Sequence, residues 1–303
     1  MKRVISAPIL IALALRTSLA VAAVIPPEWL YCVVAIGVKA EKVDNRRPVQ
    51  KEAIDWKGTG FLFGRFEEKI DAKTNRYYVY MVTNKHMLQD KKSIVIRFNR
   101  EANEPAKDYD IQLINDGKPT WTGHPKESID VAVIAINANI LTKERMRFHY
   151  FRSDLDILTV DKMSETGMTE GDPVFVVGYP MGLVGEERQY AILRSGSIAR
   201  IRDLLDNRSH EFVVDAFVFP GNSGGPVVAK PEIMAIQGTK SRSNATLIGI
   251  VKGYIPYQEI AISQQTKRAR IMFEENSGLT AVIPVDFIIE TIEAHLKKVL
   301  PRP

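Results

Sequence analysis

The 303-residue sequence predicts an all-β protein. Short apolar runs rich in Val, Ile, Phe and Tyr recur along the chain, Gly, Pro, Asn and Asp separate them, and no regular helices stand between them. Barrels or sandwiches fit this pattern, whereas a parallel α/β sheet would need helices between the strands. The runs lie at residues 30–38, 58–66, 76–83, 93–99, 130–136, 172–180, 191–201, 211–219, 245–254 and 278–284.

The strand pattern fades between residues 137 and 171, where the sequence is charged. We therefore predict a join in this stretch, with one half over residues 23–150 and a second half over residues 151–284. The remaining 285–303 segment has the periodicity of an amphipathic helix, with acids early and lysines late, as the helix dipole favours. The apolar positions of that helix are Phe287, Ile288, Ile292, Leu296 and Val299 or Leu300.

The first 22 residues have the order of a secretory signal peptide: a basic start, an apolar run at 5–15 and small residues at 20–23. Arg16 limits the apolar run to about 11 residues, which is too short for a stable membrane anchor. An amphipathic helix that stays attached is the alternative. The single cysteine, Cys32, excludes an internal disulfide, so an exported protein of this kind fits a bacterial envelope, periplasmic or secreted.

Composition and charge narrow the function classes. The chain is 45% hydrophobic and 25% charged, as in ordinary globular proteins. Its net charge is +5, but Lys2, Arg3 and Arg16 supply three of these charges and leave +2 for the rest. With no basic cluster among aromatics, we expect no nucleic-acid partner. No zinc-ligand spacing or phosphate-binding glycine loop occurs, so neither a metal nor a cofactor is predicted. Cys32 is either a buried small hydrophobic residue or a nucleophile.

Three sequence stretches carry candidate chemistry. In "FPGNSGGP" Ser223 stands among glycines and prolines, which disfavour both helix and central strand. This stretch is either a plain loop or a turn that exposes the hydroxyl beside backbone N–H groups. His86 in "VTNKHMLQD" follows a strand, where it is either a surface histidine or one aimed by the sheet. Asp130 opens an apolar strand, as a boundary residue or as a carboxylate held against a partner.

Read together, "GTGFLF", "TNKHML", "SIDVAVIAI", "GYPMGL" and "PGNSGGPVV" resemble the trypsin-like (chymotrypsin-fold) serine peptidases, above all the disulfide-poor HtrA/Deg and glutamyl-endopeptidase branches. The order is His, then Asp after 44 residues, then Ser after 93 more. The resemblance implies two six-stranded antiparallel barrels and a serine endopeptidase that acts on proteins or peptides through an acyl-enzyme. It makes Ser223 the nucleophile, His86 the general base and then acid, and Asp130 the orienting carboxylate.

The same resemblance implies an oxyanion hole at Gly221, Asn222 and Ser223, formed by the N–H groups of Gly221 and Ser223. Asn222 stands where digestive members of the family have an Asp that pairs with a newly cleaved amino terminus. We therefore expect no activation by that route. The chain ends about 80 residues after Ser223, so we expect no PDZ domain of the HtrA/Deg kind.

Specificity rests on the residues six to four positions before the serine, Phe217, Val218 and Phe219. The resemblance places them at the substrate pocket, where apolar side chains favour cleavage after small or apolar residues. Packing of Phe217 in the second barrel is the alternative, and Lys252 keeps cleavage after Glu open. Two other functions also remain open: a catalytically silent protease-like binding or scaffold protein, and an esterase-type acyl hydrolase. The sequence makes no prediction of oligomeric state.

Overall fold

The computed structural model describes residues 23–39, 53–72, 74–101, 104–232 and 241–299. The predicted signal peptide at 1–22 lies outside the described residues. The predicted all-β class is confirmed, because the described residues form two large β-sheets and one small two-stranded sheet, with few helices. The helices are α1 (Lys85–Leu88), α2 (Ala138–Lys143), α3 (Val160–Glu165), α4 (Arg202–Leu205) and α5 (Val285–Val299), with 3₁₀ turns at Pro27–Tyr31 and Pro180–Gly182.

The first sheet has nine strands and follows the order β10-β4-β1-β2-β3-β9-β8, with β5 on β4 and β11 parallel to β2. Two further short strands, β6 and β7, pair only with each other in the described part of the chain. The strands are β1 (Val33–Lys39), β2 (Ile54–Lys69), β3 (Asn75–Thr83), β4 (Ser93–Arg100), β5 (Lys107–Gln112), β6 (Ile114–Asn115), β7 (Lys118–Pro119), β8 (Thr122–Gly123), β9 (Ala132–Ala135), β10 (Met146–Arg147) and β11 (Phe151–Arg152).

This first sheet differs from the six-stranded barrel that the resemblance implies. Between β5 and β9 the chain turns at Asp116 and Gly117, both at positive φ, and Pro119 removes a backbone donor. Only two-residue strands form there, so the hydrogen-bonded path ends at β8 and does not close onto β5.

The second sheet is the closed six-stranded barrel that was expected, in the order β12-β13-β14-β17-β16-β15. The last two strands continue well beyond the barrel as a long hairpin. The strands are β12 (Pro173–Gly178), β13 (Ile192–Arg200), β14 (Phe212–Asp215), β15 (Pro226–Ala229), β16 (Thr246–Ile262) and β17 (Ala269–Pro284).

One apolar cluster spans both sheets and α5, and it fixes how the two halves meet. It includes Phe61 of β2, Val177 of β12, Leu247 of β16 and the fully buried Ile288 and Ile292 of α5. The predicted terminal helix is thus present and packs through Phe287, Ile288, Ile292 and Leu296, whereas Val299, in its last turn, is exposed. Every helix over the described ranges is too short or too polar to cross a membrane.

Cys32 lies in this same cluster and is fully buried. Burial raises the pKa of its thiol well above the usual value, so the thiol stays protonated. Of the two interpretations of Cys32, the buried hydrophobe is therefore the one that fits.

Candidate active site

His86 lies on α1, a single helical turn that begins two residues after β3 ends. Its neighbours Met87 and Leu88 are buried and anchor the turn, while His86 faces outward. The buried Asn84 donates from Nδ2 to the backbone carbonyl of Asp130 at 2.8 Å. The sheet therefore aims the histidine and ties its turn to the segment before β9.

Asp130 is held directly beside this imidazole. Its Oδ2 is 2.6 Å from His86 Nδ1, and its Oδ1 accepts the His86 backbone N–H at 3.1 Å. Burial, the largest influence, raises the pKa of Asp130, but hydrogen bonds from the His86 ring and from the backbone of His86 and Lys85 together outweigh it and lower that pKa. An ionised carboxylate only accepts hydrogen bonds, so in the neutral imidazole Nδ1 carries the hydrogen and Nε2 is an acceptor.

The segment before Ser223 forms a tight turn. Asn222 N donates to Phe219 O at 2.9 Å, Pro220 stands second in the turn, and Gly221 stands third at φ +102°. A positive φ at the third position is the type II arrangement, which favours Gly there and Pro before it. A Cβ on Gly221 would also lie 2.3 Å from the carbonyl oxygen of Tyr179. Any side chain at 221 would therefore distort the turn.

The peptide between Pro220 and Gly221 has a fixed orientation. Met181 N, itself in a left-handed conformation at φ 55°, donates to Pro220 O at 2.6 Å. In a trans peptide the N–H points opposite to the carbonyl, so the Gly221 N–H is directed to the other side of the turn. Among the described residues, neither the Gly221 N–H nor the Ser223 N–H has an acceptor. These two backbone N–H groups are the ones that the resemblance assigns to the oxyanion hole.

Thr59 of β2 connects this turn to the first sheet. Its side chain is fully buried; Oγ1 donates to Gly221 O at 2.6 Å and accepts from Tyr179 N at 3.0 Å. Its backbone N donates to Ser223 O at 3.0 Å, and its carbonyl accepts from Thr83 Oγ1 at 2.9 Å. One residue therefore fixes both sides of the serine turn.

His86 and Ser223 flank the same short piece of β2. A Cβ on Gly58 would lie 2.3 Å from the Met87 side chain and 3.4 Å from Ser223 O. Even so, within the described ranges no hydrogen bond joins Ser223 Oγ to the imidazole. The structure brings His86 and Asp130 together and places the serine turn nearby, without a direct serine–histidine contact.

A cavity of about 550 Å³ opens next to His86 and Asp130. Its other walls come from the second barrel and α4, and these walls carry both positively and negatively charged side chains. Lys252 Nζ is 2.6 Å from Glu211 Oε1, so the charge of that lysine is paired. The cavity lies between the first sheet and the second barrel, and we refer to it as the cleft. Among the lining residues are Arg200, Leu204, Phe212 and Tyr254.

The three predicted pocket residues do not share one environment. Phe217 is 51% exposed and its ring lies against Gly278, whereas Val218 is buried in the barrel core. Phe219 is partly buried, and the Arg194 guanidinium lies 5.5 Å from the centre of its ring. The exposure of Phe217 does not fit the alternative that this ring packs inside the second barrel.

Sequence reasoning assigned no role to Thr59 or Met181, although both stand in stretches that were singled out, "GTGFLF" and "GYPMGL". Their partners lie far away in the chain: Thr59 bonds to Tyr179 and Gly221 across 120 and 162 positions. Only the fold brings such pairs together. Over the described residues, no group of His, Cys, Asp and Glu is arranged to hold a metal ion.

Comparison with known proteins agrees with this architecture. A family model of the trypsin-like peptidase domain matches residues 58–232. The "Serine protease HtrA-like" of Staphylococcus aureus (strain USA300) is 26% identical over 191 residues, which cover 61% of this chain and 20% of that protein, and the protein of the same name from strain NCTC 8325 gives the same values. The chain spans about a fifth of the length of the curated relatives it matches.

Among solved structures, the MamO protease domain from Magnetospirillum magneticum (apo form) is 15% identical with a TM-score of 0.43, over 87% of this chain and 96% of that one. The family match covers more than half of the chain and contains His86, Asp130 and Ser223. The resemblance seen in the sequence motifs is confirmed: this chain belongs to the trypsin-like peptidase domain family.

Proposed function

We propose that the protein is a serine endopeptidase that hydrolyses peptide bonds through an acyl-enzyme. The observation that carries this proposal is the hydrogen-bonded pair of His86 and Asp130 at the edge of the cleft, with 2.6 Å between Nδ1 and Oδ2. Membership of the peptidase family supports a protease in general terms. The roles of individual residues follow from the chemistry of their positions.

In the first step His86 Nε2 accepts the proton of Ser223 Oγ while that oxygen attacks the substrate carbonyl carbon. The imidazolium that forms carries a positive charge beside Asp130. Since hydrogen bonds lower the pKa of Asp130 despite its burial, the carboxylate is ionised at neutral pH and stabilises this charge. Asp130 also keeps the ring in the tautomer that leaves Nε2 free to accept.

The attack turns the carbonyl oxygen into an oxyanion, which the N–H groups of Gly221 and Ser223 would bind. Collapse of the tetrahedral intermediate breaks the C–N bond, and His86 gives its proton to the leaving amine. The acyl group remains as an ester on Ser223 Oγ. Water then attacks this ester with His86 again as base, which releases the acid and restores the serine.

Asn222 supports a site that needs no cleavage of the chain for activation. Its fully buried side chain accepts the Phe219 N–H at Oδ1, 3.1 Å away, within the turn itself. The turn thus has an internal hydrogen bond where digestive enzymes would use a new terminal ammonium group. We propose that the protein is active without such a cut.

For substrates we propose proteins or peptides bound in extended form along the cleft, with cleavage after small or apolar residues. The apolar rings of Phe217 and Phe219, which lie outside the 550 Å³ cavity but in the segment just before Ser223, favour such residues next to the scissile bond. The ion pair of Lys252 with Glu211 leaves little free positive charge to select an acidic side chain.

We also retain as proposals the export of the protein after removal of residues 1–22, and the division into halves at residues 23–150 and 151–284 followed by the helix. N-terminal sequencing of the protein recovered from an envelope fraction tests the export proposal. A start near residue 23 supports it, and an intact Met1 contradicts it.

One observation favours a second candidate, a protease-like binding protein. Within the described ranges Ser223 and His86 share no hydrogen bond, and the serine is not among the residues that line the 550 Å³ cavity. A silent member of the family would bind a peptide in the cleft without cleaving it.

Hydrolysis kinetics separate these functions. Wild type, Ser223→Ala, His86→Ala and a control, Ser195→Ala on the exposed part of β13, are compared on casein, on a peptide library and on matched esters. We expect peptide hydrolysis by wild type and by the control, and losses of roughly 10³-fold or more in the two site variants. Binding without turnover would establish the silent protein, and ester turnover alone would establish the acyl hydrolase.

A further inference from the structure

The hairpin formed by the outer parts of β16 and β17 is the largest feature for which the proposed function gives no role. Barrel pairing of β16 with β15 ends at Ile250, and that of β17 with β14 ends at Leu279. Within the described residues, 256–262 and 269–276 pair only with each other. Seven residues of strand extend roughly 23 Å, so the hairpin is an arm that stands away from the barrel.

Both faces of this arm expose apolar side chains. Ile260 and Met272 are opposite each other on one face and are 53% and 59% exposed, while Ile271 and Phe273 on the other face are 56% and 54% exposed. A two-stranded hairpin is marginally stable in water and needs further strands or a packing surface. If the arm packed against the barrel with one face, the apolar side chains of its other face would still be exposed to water.

The free edge of β17 supplies the means to add strands. Residues 269–276 present unpaired backbone N–H and C=O groups on the side away from β16, and such an edge is a template for another strand. The sequence along this edge is Arg270, Ile271, Met272, Phe273, Glu274. Read in the opposite direction, it matches itself: the basic end meets the acidic end, and apolar residues meet apolar residues.

We propose that a second copy of this chain occupies the edge, with the two β17 strands antiparallel and centred on Met272. In this register Arg270 lies opposite Glu274 of the other copy, Ile271 opposite Phe273, and Met272 opposite Met272. Each contact occurs twice, as a two-fold dimer requires. The result is a continuous four-stranded sheet, β16-β17 followed by the same strands of the partner in reverse order.

The charged residues at the two ends of the free β17 edge are compatible with binding of a second copy of this chain. The Arg270 guanidinium has no ion-pair partner within the described part of the chain. The register between β16 and β17 shifts at this residue, so Arg270 has no directly paired residue on β16. Glu274 is exposed, and its carboxylate accepts hydrogen bonds from Tyr254 and Gln258 on the neighbouring strand β16, which fix its position on the arm. Opposite charges placed across antiparallel strands stabilise the pair, and like charges destabilise it.

The register predicts a specific crosslink. Directly opposite residues of antiparallel strands have Cα atoms about 4.5 to 5.5 Å apart, within the range of a disulfide. Met272→Cys should therefore crosslink two copies under mild oxidation, since the native Cys32 is fully buried. Ile260→Cys is the matched control, because residue 260 has a similar exposure. In the proposed dimer the two residues 260 are three strand spacings apart, whereas the two residues 272 are on adjacent strands.

The experiment combines this crosslink with sedimentation of the full chain over a range of concentrations. We expect a dimer, a disulfide for Met272→Cys and none for Ile260→Cys. Arg270→Glu and Glu274→Arg should each raise the dissociation constant roughly tenfold or more, and the double variant should restore it. Thermal unfolding shows whether each variant is folded. A monomer at every concentration, equal crosslinking of the two cysteine variants, or no rescue in the double variant would overturn the proposal.

Discussion

Replacing Thr59 by valine tests whether the buried hydroxyl positions the proposed oxyanion hole. Valine has nearly the same shape, so the change removes the hydroxyl with little loss of packing. It breaks two hydrogen bonds, one donated to Gly221 O at 2.6 Å and one accepted from Tyr179 N at 3.0 Å. Thr59→Ser is the matched control, since it retains the hydroxyl and removes only a methyl group.

The expected magnitude follows from these two bonds. Each leaves a buried backbone group unpaired, which costs about 1 to 3 kcal/mol, so the free energy of unfolding should fall by roughly 2 to 6 kcal/mol. Full loss of one oxyanion donor costs about 3 to 4 kcal/mol of transition-state stabilisation. Because Met181 still holds the Pro220 carbonyl, we expect a part of that loss, a fall in kcat of roughly 10- to 100-fold.

The assay measures kcat and KM separately on one peptide substrate, with unfolding in urea measured alongside. Thr59→Val should lower kcat and leave KM within about twofold, because the oxyanion forms only after the substrate has bound. Thr59→Ser should recover most of the rate. A valine variant that is less stable but has the wild-type kcat would refute the positioning role, and so would equal losses in both variants.

Three further predictions concern the same site. Gly221→Ala should lower kcat/KM by about a hundredfold or more, measured on the same peptide, because its Cβ would lie 2.3 Å from Tyr179 O; wild-type turnover would count against the turn geometry. Asn222→Asp should destabilise the protein at neutral pH by about 2 kcal/mol or more in urea, since it buries a carboxylate with one donor; unchanged stability would contradict this. Asp130 has a lowered folded-state pKa, so its contribution to stability is complete above its unfolded pKa of about 3.9 and is lost as the pH falls through the folded value. The difference in unfolding free energy between wild type and Asp130→Asn, measured in urea, should therefore shrink on acidification from pH 7 to about pH 3; a constant difference would refute it.

The fold was largely predictable because its signals are local. All ten apolar runs overlap a strand, since β-branched and aromatic residues bounded by turn residues mark strands without reference to the rest of the chain. The helix α5 was predictable for the same reason, from its periodicity. Strand β5 was missed because its residues, Lys107–Gln112, are mostly polar, and the outer hairpin was missed because its apolar residues have no core to face.

Some residues of the candidate site could likewise be predicted from the sequence, and others could not. His86, Asp130 and Ser223 could be predicted as candidates because each stands in a stretch with a recognisable composition and in a familiar order. The hydrogen bonds of Thr59 and Met181 to the serine turn were not predictable, since they join residues far apart in the chain through backbone atoms that carry no sequence signal. The pocket residues were the weakest prediction, because adjacent positions such as Phe217 and Val218 point to opposite sides of the chain.

Labelling with a fluorophosphonate probe, followed by mapping of the modified residue, tests the central claim most directly. The probe reacts with a serine only when a base activates it and an oxyanion hole receives the phosphoryl oxygen. We predict that wild type is labelled at Ser223 alone and that labelling is lost in both Ser223→Ala and His86→Ala. A folded wild type that remains unlabelled, or labelling that persists without His86, would contradict the proposed mechanism.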